Sequence, residues 1–126
     1  MSGATEAGKH ALASFAADIV NQSPLLEYLS LYYTYFESSD LDAVRDALVG
    51  RNIGALTKLY LDGNPAGFDS DTKCKAWTAV LRNMSGLKGL YLRDCNAVNE
   101  EAIKTACPKR CRIMFKKYYD ELDCKM

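Results

Sequence analysis

Three copies of one spacing, LxxLxL, recur along this chain at a nearly constant interval. Leu26, Leu29 and Leu31 stand in "LLEYLSLYY", Leu56, Leu59 and Leu61 in "LTKLYLDGN", and Leu87, Leu90 and Leu92 in "LKGLYLRDC". The first leucines of successive copies lie 30 and then 31 residues apart. A repeat of this kind constrains the architecture, because each unit has to bury its apolar face against neighbours built the same way.

Each leucine unit follows a stretch whose apolar residues fall at helical spacing. The first holds Leu12, Phe15, Ala16, Ile19 and Val20; the second, Leu41, Val44 and Leu48; the third, Trp77, Val80, Leu81 and Met84; the fourth, Ala102, Ile103 and Ala106. Helix starts are signalled by Ser39 with Asp42 three places on, by Ser70 between Asp69 and Asp71, and by Asn99 before Glu100 and Glu101. Side-chain oxygens at such positions accept from the free amides of a first turn. Pro24, Gly50, Gly86 and Pro108 mark the stops. The predicted order is helix and strand in alternation, with a fourth strand around "CRIMF" and a last turn of helix in "KKYYDEL".

Such alternation predicts a parallel sheet. Strands covered by helices on both faces read as continuous apolar runs. These do not: Ser30, Tyr60 and Tyr91 sit between the leucines, and Tyr28, Lys58 and Gly89 before them. One sheet face is therefore expected under helices and the other open to water.

The pattern LxxLxLxxN/C resembles the leucine-rich repeat, and a full helix in every unit resembles its ribonuclease-inhibitor-like subclass. The stretch "CNAVNEEAI" is similar to the cysteine-containing subclass. The resemblance implies an α/β solenoid: a short right-handed βα horseshoe segment with a parallel sheet on the concave face and helices on the convex face. One domain would span 1–126, with an N-terminal capping helix at 1–24, core repeats at 25–107 and a C-terminal cap at 108–126. Asn64 and Cys95 fall at the family's turn position, where the side chain ties the turn to the neighbouring unit by hydrogen bonds. The first unit departs from the pattern with Thr34 there, and the last keeps only Cys111 and Ile113. Irregular terminal units are expected where a stack must be capped.

The same resemblance lines up three columns on the concave face. They are Tyr28, Lys58, Gly89 and Arg110; Ser30, Tyr60, Tyr91 and Arg112; and Tyr32, Asp62, Arg93 and Met114. Strands about 4.8 Å apart place Tyr60 beside Tyr91 as an aromatic ladder. Tyr28, Tyr32, Lys58, Tyr60, Asp62, Tyr91, Arg93 and Arg112 are thus the candidate partner-binding residues, since Tyr and Arg most often anchor protein interfaces. The competing reading is that aromatic residues are good strand formers and stack for the sheet's own stability.

Composition excludes several classes. With 126 residues, 48% of them hydrophobic and 25% charged, the chain reads as one globular domain. No run approaches the roughly 20 apolar residues of a membrane span, and "HALASFAADIV" is broken by Asp18. Five scattered cysteines, an odd number, suit a reducing, cytoplasmic setting better than a disulfide framework. In "DCKM" the cysteine is third from the end, one short of a prenylation signal. The single histidine, His10, lies near the start of the first helix, and no nucleophile motif, phosphate loop or paired-carboxylate pattern accompanies it. No catalysis and no cofactor are expected.

Cys107, Cys111 and Cys124 offer three metal ligands where zinc needs four, so buried thiols are the expected role. Lys104, Lys109, Arg110, Arg112, Lys116 and Lys117 form an acid-free stretch within 104–117. It reads as a solvated end or as a site for an acidic partner, and less readily for nucleic acid, because no RNA-reading motif accompanies it. Residues 1–63 carry four basic against eight acidic side chains and residues 64–126 twelve against eight, a split that allows weak head-to-tail self-association. The expectation is a non-enzymatic protein-binding module within a larger assembly. Regulation of a small GTPase is an alternative on family analogy alone.

Overall fold

Helix and strand alternate in the predicted order. The computed structural model describes residues 6–22, 25–49 and 55–115, with the side chains of residues 6, 7, 9 and 10 set aside. Expectations for Pro24, Gly50, Lys116, Lys117, Cys124, the "KKYYDEL" turn and the His10 side chain fall outside these residues. The elements are α1 (Glu6–Gln22), β1 (Tyr28–Ser30), α2 (Ser38–Val49), β2 (Lys58–Tyr60), a 3-10 turn (Pro65–Gly67), α3 (Asp71–Leu81), β3 (Gly89–Tyr91), α4 (Glu100–Ala106) and β4 (Arg112–Met114).

The four strands form one all-parallel sheet in the order β1-β2-β3-β4. Leu29, Leu59 and Leu90 are in register across the first three strands, and all are buried. Strand residues on either side of them point the other way, so the leucines face the helices while Tyr28, Ser30, Lys58, Tyr60 and Tyr91 face outward. Each helix packs on the next in sequence, α1 on α2, α2 on α3 and α3 on α4. Of the nine repeat leucines all but Leu26 are buried. Complete burial of a leucine contributes about 2 kcal/mol. Trp77, Phe68 and Phe36 fill the space between sheet and helices.

The turn after each strand is held by a repeated set of bonds. Leu31, Leu61 and Leu92 each donate an amide to the next strand, to the carbonyls of Tyr60, Tyr91 and Met114, all at 2.8 Å. Asn64 is wholly buried, and its amide nitrogen donates among the carbonyls of Leu31 (2.8 Å), Leu61 (3.1 Å) and Asp62 (3.2 Å). Its carbonyl oxygen accepts from the Phe36 amide at 2.9 Å and lies 2.9 Å from the Thr34 hydroxyl. One unit later, the Cys95 thiol donates to Leu61 at 3.1 Å. The Leu61 carbonyl therefore joins the second and third turns, and Asn64 ties the second to the first through the Leu31 carbonyl. Thr34, the irregular residue at the first such turn, completes the environment of Asn64 from the other side.

The turns also share a left-handed residue at the same interval: Tyr33 (φ 51°), Gly63 (φ 72°) and Asp94 (φ 60°). Gly63 is required there. A Cβ on it would stand 2.2 Å from a Tyr33 ring carbon and 2.8 Å from the Tyr33 Cα. The Tyr33 ring lies over that glycine and its hydroxyl donates to the Asp94 carboxylate, so one side chain spans three turns.

Three local expectations are corrected. In α1, Ala13, Ala16 and Val20 are the buried residues, while Leu12 and Phe15 are 46% and 62% exposed. Small side chains let α1 approach α2 closely, and that turns the larger ones outward. At the start of α2, the Asp40 carboxylate accepts from the Glu37 amide at 3.2 Å, and Glu37, whose carbonyl accepts from the Asp40 and Leu41 amides, stands at the cap position expected of Ser39. Ser70 and Asn99 do cap, accepting from the Lys73 and Ala102 amides. The third correction concerns β4, where Ile113 pairs with Leu90 and Arg112 with Gly89. The predicted alignment is displaced by two residues because Cys111 closes a turn, its amide donating to the Pro108 carbonyl at 2.9 Å. A shift of two preserves which face each side chain takes.

Replacing Asn64 with alanine strands several buried polar groups and is expected to cost about 3 kcal/mol. Replacing Cys95 with alanine removes one weak donor and is expected to cost about 1 kcal/mol. Urea denaturation of the two variants measures the difference.

Candidate functional site

The outward sheet face brings most of the candidate residues together. Tyr60 and Tyr91 are register partners, and their rings stack with centroids 4.3 Å apart and planes 6° from parallel. The Lys58 ammonium stands 5.3 Å from the centroid of the Tyr28 ring, and the Arg93 guanidinium carbon 5.4 Å from that of Tyr91. An offset aromatic pair contributes about 1 kcal/mol, and a cation on a partly exposed ring about as much. The result is a row of flat aromatic surface with a cation toward each end.

The Tyr91 ring folds back over Gly89. A Cβ at that position would lie 2.8 Å from a ring carbon and 3.0 Å from the hydroxyl oxygen. The missing side chain is what lets the ring lie alongside Tyr60. Gly89 thus positions the aromatic pair, a role the column alignment recorded only as a gap.

Asp62 was expected on the open face and is instead buried, with 0% exposure. Its carboxylate accepts from the Arg93 amide at 2.6 Å and lies 3.4 Å from the Arg93 side-chain nitrogen. Asp62 therefore anchors Arg93 rather than meeting a partner. The chain bends into its turn here, which carries the residue after Leu61 inward.

Tyr28 and Tyr32 are exposed, and Arg112 is exposed on the edge strand in the row of Lys58 and Gly89, not in that of Tyr91. Tyr32 meets Tyr33 edge to face at 4.4 Å, and Tyr33 lies 6.0 Å from Tyr35. This second aromatic group continues from the first turn. Burial and the hydrogen bond to Asp94 raise the pKa of the Tyr33 phenol. Its spanning role was legible only in the interval it shares with Gly63 and Asp94.

Among the described residues no group of three or more His, Cys, Asp or Glu side chains is placed to hold a metal ion. Cys107 is buried, whereas Cys111, expected in the core, is half-buried in the turn before β4. The described basic residues of the 104–117 stretch are dispersed: Lys104 lies over the Phe115 ring at 5.7 Å, while Lys109, Arg110 and Arg112 are exposed. An open groove between α3 and α4, lined by Lys75, Thr78, Arg82, Glu101, Ala102 and Thr105, mixes both charges. No described helix is long and apolar enough to cross a membrane.

Gly89→Ala is expected to push the Tyr91 ring off Tyr60. Near-ultraviolet circular dichroism should lose intensity with the far-ultraviolet spectrum unchanged, at a stability cost of about 1 kcal/mol. A second expectation concerns Cys95, whose thiol is pushed up from 9.0 to about 12, chiefly by burial. Below pH 9.0 the thiol is protonated in both folded and unfolded chains; between 9.0 and about 12 only the unfolded chain gives up the proton. Stability should therefore fall as pH rises through that window, and Cys95→Ala should fall less steeply. Urea midpoints under reducing conditions, at one pH below and one within the window, check this.

No family model matches the chain, and no curated protein matches it at a significant level.

Proposed function

We propose that the chain is a short leucine-rich-repeat solenoid of the ribonuclease-inhibitor-like kind, acting as a non-enzymatic module that docks a protein partner on its outward, concave sheet face. The observation that carries this reading is the stacked Tyr60–Tyr91 pair on that face, flanked by Lys58 and Arg93. Stacking and cation contacts hold these side chains before any partner arrives, so little ordering entropy is lost on binding. Tyr and Arg combine large contact area with a polar handle, the composition of interface anchors.

The partner is an acidic protein surface. Lys58 and Arg112 supply positive charge across the face, whereas the nearby carboxylates are engaged within the fold, Asp62 by Arg93 and Asp94 by Tyr33. Complementary charge of this sort speeds encounter and weakens with added salt. Such a docking face would serve within a larger assembly.

Capture experiments from cell extract should compare the native chain with a Tyr60→Ala, Tyr91→Ala double variant and with Lys75→Ala on α3. The double variant is expected to lose the captured protein by about tenfold or more while melting cooperatively. The α3 variant should retain it. Equal capture by all three, or equal loss in both variants, would count against the sheet face as the docking surface.

A further inference from the structure

The two ends of the array are unlike, and each carries what the other lacks. Among the described residues α1 has no strand before it and β4 no helix after it, and β1 and β4 are the outer strands of the sheet. The side of α3 turned toward α4 is marked by Lys75, Thr78 and Arg82, which line the groove between those helices. Each stands one residue after a buried one, Cys74, Trp77 and Leu81. In α1 the residues one after buried Ala13, Ala16 and Val20 are Ser14, Ala17 and Asn21, so this flank faces α2, and Ala17 packs on the core. The opposite flank is Leu12, Phe15 and Ile19, which faces away from the array; Leu12 and Phe15 are exposed and Ile19 is half-buried. At the other end β4 leaves Ile113, Met114 and Phe115 half-buried.

The charges of the two ends are opposite. Residues 11–37 hold Asp18, Glu27 and Glu37, all exposed, and no lysine or arginine. The far end exposes Lys104, Lys109, Arg110 and Arg112 in a stretch without acids. The backbone ladder also has a next step. The carbonyls of Glu27, Thr57 and Lys88 accept in turn from the amides of Lys58, Gly89 and Arg112 on the following strand. One strand further, the register takes the Cys111 carbonyl of one copy to the Tyr28 amide of another. Edge strands are ready templates for such pairing.

We propose that a second copy of the chain docks head to tail, its α1 and β1 against β4 of the first, so that β4 and α1 together complete one repeat across the junction. Ile113, in the row of Leu90, and Phe115 then meet the Leu12, Phe15 and Ile19 stripe. Arg112 enters the row of Tyr28, and the basic end comes beside Asp18 and Glu27. The contact is heterologous and leaves each assembly with a free head and a free tail, so growth does not stop at the dimer. It uses neither Tyr60 nor Tyr91 and is independent of what docks on the sheet face.

Sedimentation velocity of the purified full chain, over a wide range of concentration at low and high salt, reads the assembly. The average mass is expected to rise past twice that of the monomer at low salt and to fall with added salt. A Leu12→Ser, Phe15→Ser double variant alters exposed positions at one end, and Arg112→Glu an exposed position at the other. Each should remain monomeric with the native far-ultraviolet spectrum. Mixed in equal amounts, the two should form dimers that grow no further, because only one intact head and one intact tail remain to meet. A native chain that is monomeric throughout, as would follow if residues 116–126 of the same chain cover β4, overturns the proposal. So does a native chain that stops at the dimer, or a mixture of the two variants that stays monomeric.

Discussion

The buried side chain of Asn64 is the interaction on which the sheet's construction depends. A primary amide has two donors and an acceptor. Here they meet the carbonyls just after two successive strands and the Phe36 amide and Thr34 hydroxyl of the first turn, in the buried interior. Leaving such backbone groups unpaired in the core would cost more than any one leucine contributes. The asparagine fixes how far each turn stands from the next, and the leucine rows follow from that spacing. Cys95 does the same work one strand on with a single, weaker bond.

That spacing sets the outward face. Because β2 and β3 are in register, Tyr60 and Tyr91 come ring to ring, and because residue 89 has no side chain, the Tyr91 ring can lie flat against its neighbour. Asp62, drawn inward by the same turn, holds Arg93 where its guanidinium reaches the Tyr91 ring. The turn chemistry and the display of the aromatic row are therefore one arrangement. Damage to Asn64 would be felt at the face, although no atom of Asn64 reaches it.

Much of this was legible in the residue pattern. Periods of two and near four identified the strands and helices, and the faces of α2, α3 and α4 matched their apolar spacing. The face of α1 did not, because the spacing alone treats Ala13 and Phe15 as rivals for burial and carries no information on how near α2 comes. The fate of Asp62 was hidden for a related reason. Column counting extends the strand by alternation, whereas the chain has already left the extended conformation at that point. In β4 the alternation was read correctly but its origin was displaced, since one turn hydrogen bond at Cys111 decides where pairing begins.

By itself the sequence determined the order of helices and strands, the leucine face of each strand, and the tyrosines and basic residues on the other, because these follow from local periodicity. Only the tertiary structure decided which of those outward residues touch. The stacking of Tyr60 on Tyr91, the burial of Asp62 and the span of Tyr33 over Gly63 all depend on distances between segments. Those distances are set by packing and by turn hydrogen bonds between units, which no single stretch of residues encodes.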